Sequence, residues 1–128
     1  MLSHTPTQPL GLIKAVSEGI PYARAEQLRH KLDLTQAEMA ALLDISTRTL
    51  QRQSDDAHLP THAAELVLRL EDLWAQATET LETPRNVQLW LRSPLDALQG
   101  TTPLSLLHTV TGVEACTQVL GRMAYGVY

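Results

Sequence analysis

The chain has 128 residues, of which 44% are apolar although none is phenylalanine. That supports one domain, or two small ones, around an aliphatic core, and it excludes global disorder. A net charge of −4 leaves no overall basic field for nucleic acid, and the lone Cys116 excludes an internal disulfide.

In chain order, residues 1–9 read as a polar lead-in with two prolines. No basic start followed by an apolar run is present, and no stretch is long enough to span a bilayer, so a cytoplasmic protein is expected. "LGLIKAVSEG" predicts a helix with apolar residues at 10, 12, 13, 15 and 16 and a stop at Gly19. "YARAEQLRHKLDL" predicts a second, with Ala25, Leu28 and Leu32 on one face. In "LTQAEMAALLDISTRTLQRQ", Thr35 and Glu38 have the spacing of a capping box, and Ala37, Ala40 and Leu43 continue the helix. Asp44 falls where a tight turn needs positive φ, and Ser46 can cap the next helix, which turns Leu50 inward.

A long helix is predicted from Thr61, striped by Leu66, Leu70, Leu73, Trp74, Ala77 and Leu81. Thr83-Pro84, Ser93-Pro94 and Thr102-Pro103 each pair a capping hydroxyl with a first-turn proline. Thr111 to Glu114 reads as a second capping box, leading a helix striped by Val113, Cys116, Val119, Leu120 and Met123. No period-two alternation predicts a strand. The expected fold is all-α, divided near "DAHLPT" into residues 1–60 and 61–128.

Residues 35–54 have the layout of a helix-turn-helix. Leu34, Ala40, Leu43, Ile45 and Leu50 supply its internal contacts. Thr47, Arg48, Gln51 and Arg52 then fall on the outer face, where arginine can fork onto guanine and glutamine onto adenine. The competing reading is a plain helical hairpin with a solvated face. Bases 24, 29, 31, 48 and 52 are outnumbered by acids 26, 33, 38, 44, 55 and 56, so DNA binding requires a homodimer on two half-sites.

The closing "LGRMAYGVY" places two of the three tyrosines in the last four residues. Gly126 can end the helix in a left-handed turn. Tyr128 then carries a ring and a carboxylate fit for a pocket that binds an aromatic anion, unless Tyr125 and Tyr128 pack back on their own helix. His58 and His62 are separated by Pro60, so no metal site is expected. Cys116 reads as a buried hydrophobe, and Trp74 and Trp90 as core or interface anchors. No phosphate loop, nucleophile elbow or acid pair is present, so no enzyme and no cofactor is expected.

Together, "LTQAEMAALLDISTRTLQR", the "PLDALQGTTPLSLL" run and the closing "LGRMAYGVY" resemble the Xre/MbcA/ParS antitoxins of RES–Xre toxin–antitoxin pairs, over roughly residues 12–128. The resemblance implies an all-helical protein with an N-terminal Xre-like helix-turn-helix region and a C-terminal toxin-binding domain. The implied partner is a RES-domain toxin that consumes NAD, neutralised by occlusion of its active-site cleft. The implied plug is Gly126, Val127 and Tyr128, supported by Arg122 and Tyr125. Repression of its own operon through operator DNA is also implied. The acids Asp55 and Asp56, beyond the second helix of the motif, fall on the expected phosphate side. The alternatives are a stand-alone dimeric helix-turn-helix transcription regulator and a partner-binding protein with no DNA role.

Overall fold

A central helix organises the chain. In the computed structural model, which describes residues 6–126, α5 (Thr61–Leu81) packs against α1 (Pro9–Glu18), α2 (Tyr22–Leu32), α3 (Gln36–Leu43), α6 (Pro84–Leu91) and α7 (Val110–Ala124). The short α4 (Thr47–Arg52) leans on α3. The expected stripe of α5 is present, with Leu66, Leu70, Leu73 and Ala77 buried and Trp74 and Leu81 half-buried. Ala63, Ala64, Val67 and Leu68 are buried as well, because neighbours surround this helix on more than one side. One continuous apolar core therefore runs from Leu12 to Leu120. Among the described residues there is no strand, only an isolated bridge between Pro21 and His58.

Local chemistry sets most helix ends. Thr35 Oγ1 accepts from the Glu38 amide at 3.0 Å, and Glu38 Oε1 accepts from the Thr35 amide at 2.9 Å, closing the expected capping box. Asp44 is left-handed, at φ 54° and ψ 45°, and Ser46 caps α4. Asp33 does for the α2–α3 turn what Asp44 does for the next, at φ 57°. Arg29 fixes that turn by pairing with Glu26 and donating to the Leu34 carbonyl at 2.9 Å.

Three expected helix starts came out differently. Thr83 does cap α6, accepting from the Asn86 amide at 3.1 Å. Ser93-Pro94 starts no α-helix; the Ser93 hydroxyl instead donates to the Leu89 carbonyl at 2.7 Å, closing the end of α6. Thr102-Pro103 opens only a 3-10 turn (Leu104–Leu106), and a second such turn spans Asp96–Leu98. The cap of α7 is Thr109, which accepts from the Gly112 amide at 3.0 Å, not the expected Thr111. The reason is steric. A Cβ on Gly112 would lie 1.7 Å from the Leu106 carbonyl oxygen, so the start of α7 is pressed against the preceding 3-10 turn and the register is set two residues earlier.

The stripe of α7 is as expected, with Val113, Cys116, Val119 and Leu120 buried and Met123 half-buried. Burial pushes the Cys116 thiol up to about 11, so it stays neutral and serves as packing. Among the described residues no helix is long and apolar enough to cross a membrane.

Candidate functional site

The α3–α4 pair forms the first candidate surface. Met39, Ala40, Leu42 and Leu43 bury the inner side of α3, while Ile45 and Leu50 pack against the same core from the turn and from α4. Met39 and Leu42 were absent from the expected contact set, because α3 is apolar over most of its circumference and shows no clear stripe. The Asp44 turn then aims α4 outward. Its outer face presents Arg48, Gln51 and Arg52 to solvent, with Thr47 half-buried beside them. Residues three and four apart share a helix face, so the two guanidinium groups and the amide lie side by side. Neither Arg48 nor Arg52 makes an ion pair among the described residues, whereas Arg24, Arg29 and Arg92 are held by Glu71, Glu26 and Glu38. Arg48 and Arg52, the two arginines expected from sequence, are thus among the exposed cations left open to a polyanion. Asp55 and Asp56, also exposed, follow directly.

The second candidate surface is the far end of α7. The helix ends at Ala124, and the amides of Tyr125 and Gly126 donate to the carbonyls of Gly121 and Met123 at 3.3 and 3.1 Å. Gly126 is left-handed at φ 72°. Tyr125 is 69% exposed, so it does not pack back on its own helix. Arg122 is exposed on the preceding turn. Val127 and Tyr128 lie outside the described residues. Beside this end lies a cleft of about 460 Å³ bounded by Trp90, Val119, Arg122 and Met123.

Two family models account for nearly all of these elements. The antitoxin Xre-like helix-turn-helix domain matches residues 11–71, and the antitoxin Xre/MbcA/ParS C-terminal toxin-binding domain matches residues 76–126. The chain belongs to the Xre/MbcA/ParS antitoxins. The "Prs ADP-ribosylating antitoxin" of Sphingobium sp. (strain YBL2) is 27% identical over 130 residues, covering 94% of this chain and 82% of the relative. A chain in the crystal structure of the M. tuberculosis MbcT–MbcA toxin–antitoxin complex shares the fold, with a TM-score of 0.59 at 19% identity over 84% of this chain and 96% of that one.

In this antitoxin the two matched segments meet within α5, and a polar clamp ties them together elsewhere. Arg92, at the end of α6, forks onto both Glu38 oxygens at 2.8 and 2.9 Å and donates to the Asp33 carbonyl at 3.1 Å. Glu38 therefore closes the capping box of α3 and receives a guanidinium from the toxin-binding half. The Arg92 hydrogen bonds, with help from the Thr35 amide, hold its carboxyl down at about 2 against an ordinary 4.5. A depressed carboxylate contributes stability that is fully present above about pH 4.5 and is lost as pH falls toward about 2. The Arg92 side chain is 46% exposed, so screening leaves about 1 kcal/mol of this as net stability. Glu38→Gln is accordingly expected to be less stable than wild type by about 1 kcal/mol near pH 7 in urea unfolding, with the gap closing toward about pH 2–3. A gap that does not depend on pH would show that the clamp contributes nothing through charge.

Proposed function

We propose that this antitoxin neutralises a RES-domain toxin that consumes NAD, by lodging its C-terminal segment in the toxin's active-site cleft. In this reading Gly126, Val127 and Tyr128 form the plug and Arg122 and Tyr125 support it. The observation that carries it is the form of the α7 terminus: an exposed tyrosine and arginine beside a left-handed glycine, at the limit of a segment matched as toxin-binding. The name of the Sphingobium relative couples it to ADP-ribosylation, a chemistry that draws ADP-ribose from NAD. A tyrosine offers a flat ring, one of the features by which a cofactor pocket holds a base or a nicotinamide. The protein acts in the cytoplasm by binding, not by catalysis.

The same reading gives the N-terminal half the job of repressing its own operon. A homodimer would place Thr47, Arg48, Gln51 and Arg52 of each protomer against operator DNA. Support comes from the exposed Arg48 and Arg52 on α4, which make no ion pair among the described residues, and from the helix-turn-helix match.

The test is a mixed assay with the product of a neighbouring RES-type gene. Full-length antitoxin is expected to stop NAD loss. A chain ending at Gly126 is expected to fold normally and still bind the toxin, yet to leave NAD consumption running. Equal protection by the shortened chain would refute the plug.

A further inference from the structure

The cleft beside α7 lies between that helix, the end of α6 and the 3-10 turn at Asp96–Leu98. Trp90, Leu95, Val119 and Met123 make its walls, and Asp96 and Arg122 face its mouth. Trp90 is only 7% exposed, yet nothing among the described residues accepts a hydrogen bond from its buried Nε1–H. Buried atoms of Gln36, Arg69 and Thr80 are also unpaired, but those residues are only partly buried. A buried donor without an acceptor favours any state that supplies one. The indole nitrogen itself is closed to solvent.

We propose that this cleft is a second docking point for the toxin, separate from the tail, and that it receives an apolar side chain on a toxin segment carrying an acidic neighbour. The inference rests on the toxin-binding reading above. Two observations select this occupant. Every residue lining the cleft falls within the segment matched as toxin-binding. The mouth also carries one charge of each sign, Arg122 and Asp96, and neither has an ion-pair partner among the described residues, so an acid beside the apolar side chain seats at the Arg122 side. An acidic group on the toxin is attracted to Arg122 and repelled by Asp96, which fixes the direction of the segment across the cleft. Arg122 also borders a shallower hollow with Gln118, Gly121 and Tyr125, so cleft and tail turn form one continuous surface.

Trp74 and Trp90 are the two tryptophans, so a chain labelled with 15N gives two indole signals. Titration with the unlabelled product of the neighbouring RES-type gene is expected to move the Trp90 signal. The chain ending at Gly126 is expected to show the same movement. Ala97→Arg blocks the exposed mouth without removing a core contact, and Arg122→Glu reverses the charge. Each is expected to weaken toxin binding by about tenfold or more, with an unchanged melting temperature. A Trp90 signal that stays put in the saturated complex, or wild-type affinity in Ala97→Arg, overturns the second docking point and leaves the plug standing. A Trp90 signal that moves with the chain's own concentration assigns the cleft to a second copy and also overturns it. If the unaltered chain binds no such toxin, both readings fall together.

Discussion

Gly112→Ala is expected to destabilise the protein by about 2–3 kcal/mol, a loss of roughly 10 °C in melting temperature for a chain of this size. The added Cβ would sit 1.7 Å from the Leu106 carbonyl oxygen and 2.7 Å from its carbon. Both are backbone atoms, so no flexible side chain can swing aside, and either the 3-10 turn or the start of α7 must move. Alanine's better helix propensity recovers only about 1 kcal/mol. Gly121 lies in the same helix and provides the control. A Cβ there meets nothing within 4 Å, so Gly121→Ala is expected to leave stability unchanged or raise it by up to about 1 kcal/mol. Thermal unfolding of the pair decides the matter: equal melting temperatures would mean that α7 is not seated against Leu106. The same seating sets the height of Arg122 and Tyr125 at the other end of the helix, so a shifted start would carry that turn with it.

Arg48→Ala combined with Arg52→Ala is expected to weaken binding to the operon's own promoter by about a hundredfold while leaving toxin inhibition intact. Two contacts on each of two protomers should remove about 3–4 from the slope of log affinity against log salt. A mobility shift at two salt concentrations measures both effects. The loss should be large because Arg48 and Arg52 are the two cations of α4, and Arg24, Arg29 and Arg92 are already engaged by carboxylates of their own chain. Asp55→Asn with Asp56→Asn should move affinity the other way. An unchanged salt slope in the arginine variant would assign α4 a packing role only.

What was legible in the sequence was local. The Thr35–Glu38 box, the left-handed Asp44 and the Ser46 cap depend on residues a few positions apart, and each formed as the spacing required. The stripes of α5 and α7 followed from helical periodicity. The failures came where a distant neighbour chose between local options. Thr109 and Thr111 are both plausible caps, and the choice was made by the fit of Gly112 under Leu106, which only the folded chain reveals. Ser93 turned back to the Leu89 carbonyl instead of capping a new helix. The Arg92–Glu38 fork joins residues 54 apart and has no periodic signature. At the site, the composition of the tail singled out Tyr125 and the family resemblance implied Arg122, and the turn displays both. The cleft over Trp90 was invisible because its walls come from three segments that folding alone brings together.

The single core that runs from Leu12 to Leu120 has one further implication. The helix-turn-helix and toxin-binding segments share α5 as a common wall, so neither half retains a complete interior once the other has opened. Unfolding of a domain this small is expected to be all-or-none. A cellular protease that captures the opened chain would then end both tasks in one stroke. Toxin release and loss of repression would coincide in time, and transcription would resume whenever the guard is destroyed.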